Sequence, residues 1–276
     1  ALDPSNRILL DDALESYMRA ANEARRWTYF AGRALEYDLN LSLASRDVPF
    51  TATTADDLSA HLDVLQLAFN DPISGWRVPQ PDHEVVSLRR HVLGIMGPTV
   101  EPNTGETVSE IERFRRYLLS PDHWDAQGNL RVGFSTAPNS SRPLFSANVY
   151  NDRIISLKVN LVGAGLGDMN ASIILEQRGM NVLRDRFGTP HAYYLSEAPR
   201  PGAPRIDRTR IPAGVNVDIL NVSDLALPPG IEFLGRSVLA EEWTIVLDTN
   251  PVREPMNADI DVTTLDDVEI LFRHGA

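Results

Sequence analysis

The sequence predicts an α+β protein in which an N-terminal helical segment leads into an antiparallel β-sandwich of jelly-roll type. Three observations carry that expectation. Apolar residues recur at alternating four- and three-residue steps through the first forty positions, with no proline inside the run. From about residue 128 onward the apolar spacing drops to two. Between those two-residue runs lie loops rich in glycine and proline, the punctuation of a multi-stranded sheet. The change of period divides the chain into a helical region over 1–122 and a sandwich domain over 123–276.

The first helix opens near Ser5 or Asn6, either of which is a good cap. Its seam is Leu10, Leu14, Tyr17, Ala21, Ala24, Thr28, Ala31 and Leu35, and the alanines admit a partner helix at close range. Trp27, Tyr29, Phe30 and Tyr37 fall off the seam and need a second packing surface, which favours a helical subdomain over a free coiled coil. "TADDLSAHLDVLQLAFN" (54–70) opens on a Thr/Asp cap and carries Leu58, Leu62, Leu65 and Phe69 on one stripe. "EVVSLRRHVLGIM" (84–96) is expected as a shorter helix. "SEIERFRRYLLS" (109–120) opens on Ser109 with Glu112 three residues on, a capping box.

After Gly128, Leu130, Val132 and Phe134 begin the alternation. "SLKVNLVGAGLGD" (156–168) looks at first like a strand entering a dinucleotide-binding glycine loop. The fingerprint Gly-x-Gly-x-x-Gly nevertheless has Asp168 where its third glycine belongs, and a carboxylate there would repel a pyrophosphate. Ala171, Ile173 and Leu175 then alternate with Ser172 and Glu176, so a second strand follows rather than a helix. The reading is strand, glycine turn, strand, paired as a hairpin or as neighbours. Further strands are expected at 215–222, at 242–248 around Trp243, Ile245 and Leu247, and at 267–272 around Val268, Ile270 and Phe272. Trp243 shares a face with two aliphatic residues and is therefore expected in the core. Residues 184–212 read as a long surface loop holding one short strand near 191–195.

Composition narrows the chemistry. A net charge of −12 argues against nucleic acid and anionic membrane as partners, because phosphate neutralisation needs surplus Lys and Arg. No apolar run approaches bilayer length, and the beginning "ALDPSNRILL" looks cut from a longer chain. There is no cysteine, which excludes thiolate metal sites and a cysteine nucleophile. The histidines show neither His-x-x-x-His nor His-Glu-x-x-His spacing. Asn257, Asp259 and Asp261 are spaced as in a calcium loop, yet Val262 stands where glycine is required and Val268 where a bidentate Glu is required. The carboxylate pairs at Asp11/Asp12, Asp56/Asp57, Glu241/Glu242 and Asp266/Asp267 are accounted for by helix dipoles and by strand alternation. No Gly-x-Ser-x-Gly elbow occurs. No catalytic residue, metal or cofactor is assigned, and the chain is expected not to be an enzyme.

A family resemblance rests on the second half. "NDRIISLKVNLVGAGLGDMNASIILEQRG", "LPPGIEFLGRSVLAEEWTIVLDTN" and the terminal "VTTLDDVEILFRHG", in that order after a helix, resemble the C-terminal, Tc toxin B subunit-binding region of Tc toxin A subunits. The terminal match runs through Thr264, Leu265, Asp267, Val268, Ile270, Phe272 and Arg273. A basic-flanked strand with its glycine turn matches Arg153 to Leu175, and a Pro-rich turn before a Trp-bearing strand matches Pro228, Pro229 and Trp243. The likeness covers mainly 150–276. The insertion "SEAPRPGAPRIDRTRIP" and the helices of 50–120 depart from it. What the resemblance implies is a non-enzymatic sandwich that docks a protein partner, such as a Tc toxin B subunit-like protein, within a secreted or extracellular assembly. Self-association through a larger parent chain is compatible with it.

The candidate contact residues are His191, Tyr193, Tyr194, Arg205, Arg208 and Arg210. They gather in an Arg-rich segment of an acidic chain, held extended by Pro199, Pro201, Pro204 and Pro212, where guanidinium groups can take carboxylates bidentately. The rival class is a carbohydrate-binding or carbohydrate-acting sandwich, with Trp243, Tyr193 or Tyr194 stacking on a sugar and Asp259 or Asp261 holding calcium.

Overall fold

In a computed structural model, the described residues are 4–40, 47–70, 81–137, 144–146, 149–166, 170–185, 187–193, 206–221 and 230–275. The chain forms two compact units, 1–78 and 79–276.

The first unit is helical. α1 (Pro4–Leu39) and α3 (Ala55–Asn70) are joined through a short α2 (Val48–Thr51). Thr54 caps α3, its Oγ1 accepting from Asp57 N at 3.1 Å, while the Asp57 carboxylate accepts in return from Thr54 N at 2.9 Å. This reciprocal box satisfies amide donors that a helix start otherwise leaves open. Of the α1 seam only Thr28 and Leu35 are buried, and the Leu65 side chain lies beside Gly32 of α1. On α3 the buried face is Leu58, His61 and Leu65. The expected stripe is therefore rotated: Leu62 and Phe69 are exposed, and His61 takes a place that hydrophobicity alone would give to leucine.

The second unit is built on one curled, largely antiparallel sheet of eight strands. Its strands are β1 (Asp82–Ser87), β4 (Leu130–Phe134), β5 (Arg153–Gly163), β6 (Asn170–Arg184), β7 (Pro190–Tyr193), β8 (Ile206–Val215), β9 (Leu239–Leu247) and β10 (Leu265–Gly275). The order is β1-β10-β5-β8-β6-β9-β4, with β7 added to β6. A separate ribbon, β2 (Thr99–Val100) with β3 (Thr107–Val108), precedes α4 (Glu110–Leu118). The α+β class and the dominance of antiparallel pairing are as the residue periods predict.

Four local readings are corrected. The segment 84–96 is not a helix: β1 pairs with β10 and is followed by a single π turn at 88–92, tied down where Ser87 Oγ and Arg89 N both donate to the Asp267 carboxylate. A local window sees Val86, Leu88 and Val92 but not the distant strand that recruits them. β5 and β6 are neither a hairpin nor neighbours, because β8 lies between them, parallel to β5 and antiparallel to β6. The strand expected at 215–222 ends as it would begin: Val215 closes β8, and Asn216 turns the chain with φ 52°. Finally, 184–212 is not one loop around a single short strand: the strand expected near 191–195 is present as β7, but much of β8 also falls inside the range.

The core lies on the face carrying Leu157, Val159, Ile173, Leu175, Ile211, Trp243, Ile245, Ile270 and Phe272. Trp243 is fully buried, stacked at 6.2 Å on Phe134 and edge-on to Phe233 and Phe272. The opposite row of β5, Ser156, Lys158 and Asn160, is buried as well, so this strand lacks the solvated face that its alternation implies. Asn160 accounts for its burial by donating to Val217 O and to Glu269.

Candidate functional site

The polar face of the sheet is organised around buried carboxylates. On β6, Glu176 is registered against Arg208 of β8 on one side and Thr244 of β9 on the other. Its side chain is 3% exposed, and three guanidinium groups reach it: Arg131 at 2.5 Å, Arg208 Nε at 2.9 Å and Arg178 at 3.4 Å. Two residues further along β8, Arg210 pairs with Glu254, which is also buried. Arg178 reaches on to Glu242 at 3.7 Å, and Arg131 to Asp125 at 3.8 Å. Strand period places Arg208 and Arg210 on the same face.

The geometry splits each arginine into a held half and a free half. A carboxylate behind the sheet surface takes some of the donors of Arg208 and Arg210, while their side chains stay 52% and 54% exposed. A guanidinium carries five N–H donors in a rigid fork, so donors remain for an incoming carboxylate. Because the fork is already oriented, little rotamer freedom is lost on docking.

The other predicted contacts lie elsewhere. His191 is on β7 opposite Leu183, seven residues along β6 from Glu176 and so roughly 20 Å away at about 3.3 Å per residue. Its Nε2 meets Asp185 at 2.8 Å, in a turn where Asp185 also accepts from Phe187 N and Thr189 N. The His191 hydrogen bond, with those amides, holds the Asp185 carboxyl below its ordinary value. Tyr193 is half-buried at the end of β7. Tyr194 and Arg205 lie outside the described residues. The four described candidates thus fall in two places: Arg208 and Arg210 belong to the sheet face, His191 and Tyr193 to a hairpin at its end. Sequence reasoning missed Glu176, Glu254, Arg131 and Arg178. The signal for Glu176 and Arg178 was their alternation with Leu175 and Gln177, but the partner strands are not sequence neighbours.

The calcium-like spacing resolves into structure. Asn257, fully buried, donates to Ser172 O and Asp248 O and accepts from Ser172 N, splinting the β9–β10 connection to β6. Asp261 caps the turn that follows, accepting from Thr263 N. Among the described residues no group of three or more His, Asp or Glu side chains is placed to hold a metal, and no helix is long and apolar enough to cross a membrane.

Comparison with known proteins finds no matching family model and no matching curated protein. Among solved structures, the chain is similar to Morganella morganii TcdA4, with 13% identity and a TM-score of 0.43 over 88% of this chain and 10% of that one. It is similar also to Yersinia pseudotuberculosis TcaA-TcaB, with 12% identity and a TM-score of 0.37 over 79% of this chain and 11% of that one. The chain spans about a tenth of the length of the chains it matches.

Proposed function

We propose that this chain is a non-enzymatic protein-interaction domain of a toxin-complex-like assembly, with the arginine face of its sheet as the docking surface. The observation that carries this reading is the pair Arg208 and Arg210, each held from behind by a buried carboxylate and each half exposed. Such a surface suits acidic side chains of a protein partner, and the terminal-strand resemblance to Tc toxin A subunits suggests a Tc toxin B subunit-like protein as that partner. The carbohydrate reading loses its main platform, since Trp243 is fully buried.

The test is binding of the 276-residue chain to a purified Tc toxin B subunit, with Arg208→Ala as the probe variant because Arg131 and Arg178 remain on Glu176. Saturable binding that weakens with salt and slows in Arg208→Ala supports the proposal. Absence of binding removes the assembly assignment; equal binding by Arg208→Ala removes the arginine face.

A further inference from the structure

The α1 seam changes character halfway along. Thr28 and Leu35 are buried against the rest of the helical unit, whereas Leu10, Leu14, Tyr17 and Met18 on the earlier turns are 55–68% exposed. Ala24, also on the seam, is exposed too. Apart from Thr28 and Leu35, the seam is thus exposed or only partly covered, Ala31 included.

We propose that this bare stripe is a self-association surface, on which α1 of a second copy of this chain lies antiparallel about a two-fold axis near Arg19. The argument is complementarity of size and of charge. In an isologous pairing, residue i meets j and j meets i. An axis near residue 19 sets Leu14 against Ala24 of the second copy and Tyr17 against its Ala21. Leu14 and Tyr17 then each face an alanine, so the helices approach closely at the centre of the overlap, while Leu10 falls at its edge, level with the buried Thr28. On one flank Asp11 meets Arg25 of the second copy, with Met18 meeting its counterpart between the two symmetric ion pairs. On the other flank Trp27, 65% exposed, meets Ala13. Arg25 is held in place for this, its Nη2 donating to Ala52 O at 2.8 Å.

A parallel, in-register pair lacks both features. It would set Leu14 on Leu14 and Tyr17 on Tyr17, leave alanine layers facing alanine at 21 and 24, and place Ala20 rather than an acid beside Arg25 of the other copy. The antiparallel register is the one that fills the space and neutralises the charge. It involves none of the arginine-face residues and is independent of the docking function above.

The absence of native cysteine makes the test direct. Sedimentation equilibrium of the 276-residue chain is expected to show a monomer–dimer equilibrium. Asp11→Arg, which sets like charges opposite each other twice, is expected to raise the dissociation constant about tenfold at low salt, equivalent to about 1.4 kcal/mol. Under mild oxidation, a mixture of Leu14→Cys and Ala24→Cys should form the mixed disulfide while neither variant alone links to itself, since a disulfide needs Cα atoms about 4.4–6.8 Å apart. Circular dichroism confirms that each variant is folded, the substituted positions being exposed. A chain that stays monomeric at all concentrations overturns the proposal. So does an unchanged constant in Asp11→Arg, or self-linking of Leu14→Cys as fast as the mixture links.

Discussion

The indole Nε1 of Trp243 donates to the Thr136 hydroxyl at 3.0 Å, and that hydroxyl donates in turn to Val238 O at 2.6 Å while accepting again from Ala240 N. One side-chain oxygen, 1% exposed with its residue, therefore satisfies three backbone or ring groups at the centre of the aromatic core. Thr136→Val keeps the shape and leaves an indole and an amide donor bare. It is expected to lower stability by about 1–3 kcal/mol. Trp243→Ala should cost more, about 3–5 kcal/mol. Urea titrations of both variants check the order, and a Thr136→Val midpoint equal to the parent would show that the hydroxyl contributes nothing.

The two docking arginines should differ in what they contribute to folding. Among the described residues Arg210 is the cation paired with Glu254, whereas Glu176 keeps Arg131 and Arg178 when Arg208 is lost. Arg210→Ser therefore strands a buried carboxylate and is expected to cost about 1.5–3 kcal/mol, as for a hydrogen bond to a charged group. Arg208→Ser should stay within about 0–1 kcal/mol. The exposure of both side chains, taken alone, would predict two silent substitutions. Paired denaturation curves decide between these accounts.

His61 gives the helical unit a pH dependence of defined sign. Burial holds its pKa below the ordinary 6.5, so between that folded value and 6.5 the unfolded chain binds more protons than the folded one. Stability of this unit should fall as pH drops below about 6.5 and level off beneath the folded value. Hydrogen exchange of α1 and α3 amides at pH 7 and pH 5 reads the loss. His61→Leu should abolish it over that window, and persistence of the full effect in the variant would assign it to other groups.

Gly163 closes β5 where it crosses the entrance to β10. A Cβ there would overlap Thr264 O and crowd the Leu265 backbone, and Thr264 O is further fixed by Arg115 at 3.2 Å. Gly163→Ala is expected to cost about 1–3 kcal/mol as an overpacked contact. Gly165, by contrast, has open space around it but a φ of 69°, so its alanine variant should report backbone strain alone. Thermal melts of the two variants separate space from conformation.

Much of this architecture is legible in local periodicity, and the misses share one cause. The three-and-four spacing from Leu10 to Leu35 marks α1, Ser109 and Glu112 mark the start of α4, and Trp243 with Ile245 marks a buried face. What local spacing does not encode is which strand lies beside which. Val85 and Val86 become a strand because β10 is there to pair with them. Likewise the Arg208–Glu176 pair arises because β8, late in the chain, inserts between β5 and β6. For the same reason an Arg-rich stretch reads as a loose loop until the carboxylates that order it are seen.

The place of β10 sets a timetable for biosynthesis. It pairs with both β1 and β5, yet follows every other strand among the described residues, with about a hundred residues between the end of β5 and its own start. At translation rates of about 5–20 residues per second, one edge of β5 waits roughly 5–20 s on the ribosome for its neighbour. During that interval an unpaired, apolar strand is open to any other extended segment. The nascent chain therefore has reason to engage a chaperone at this stage, and a chain truncated before Leu265 would leave β1 without a strand to pair with.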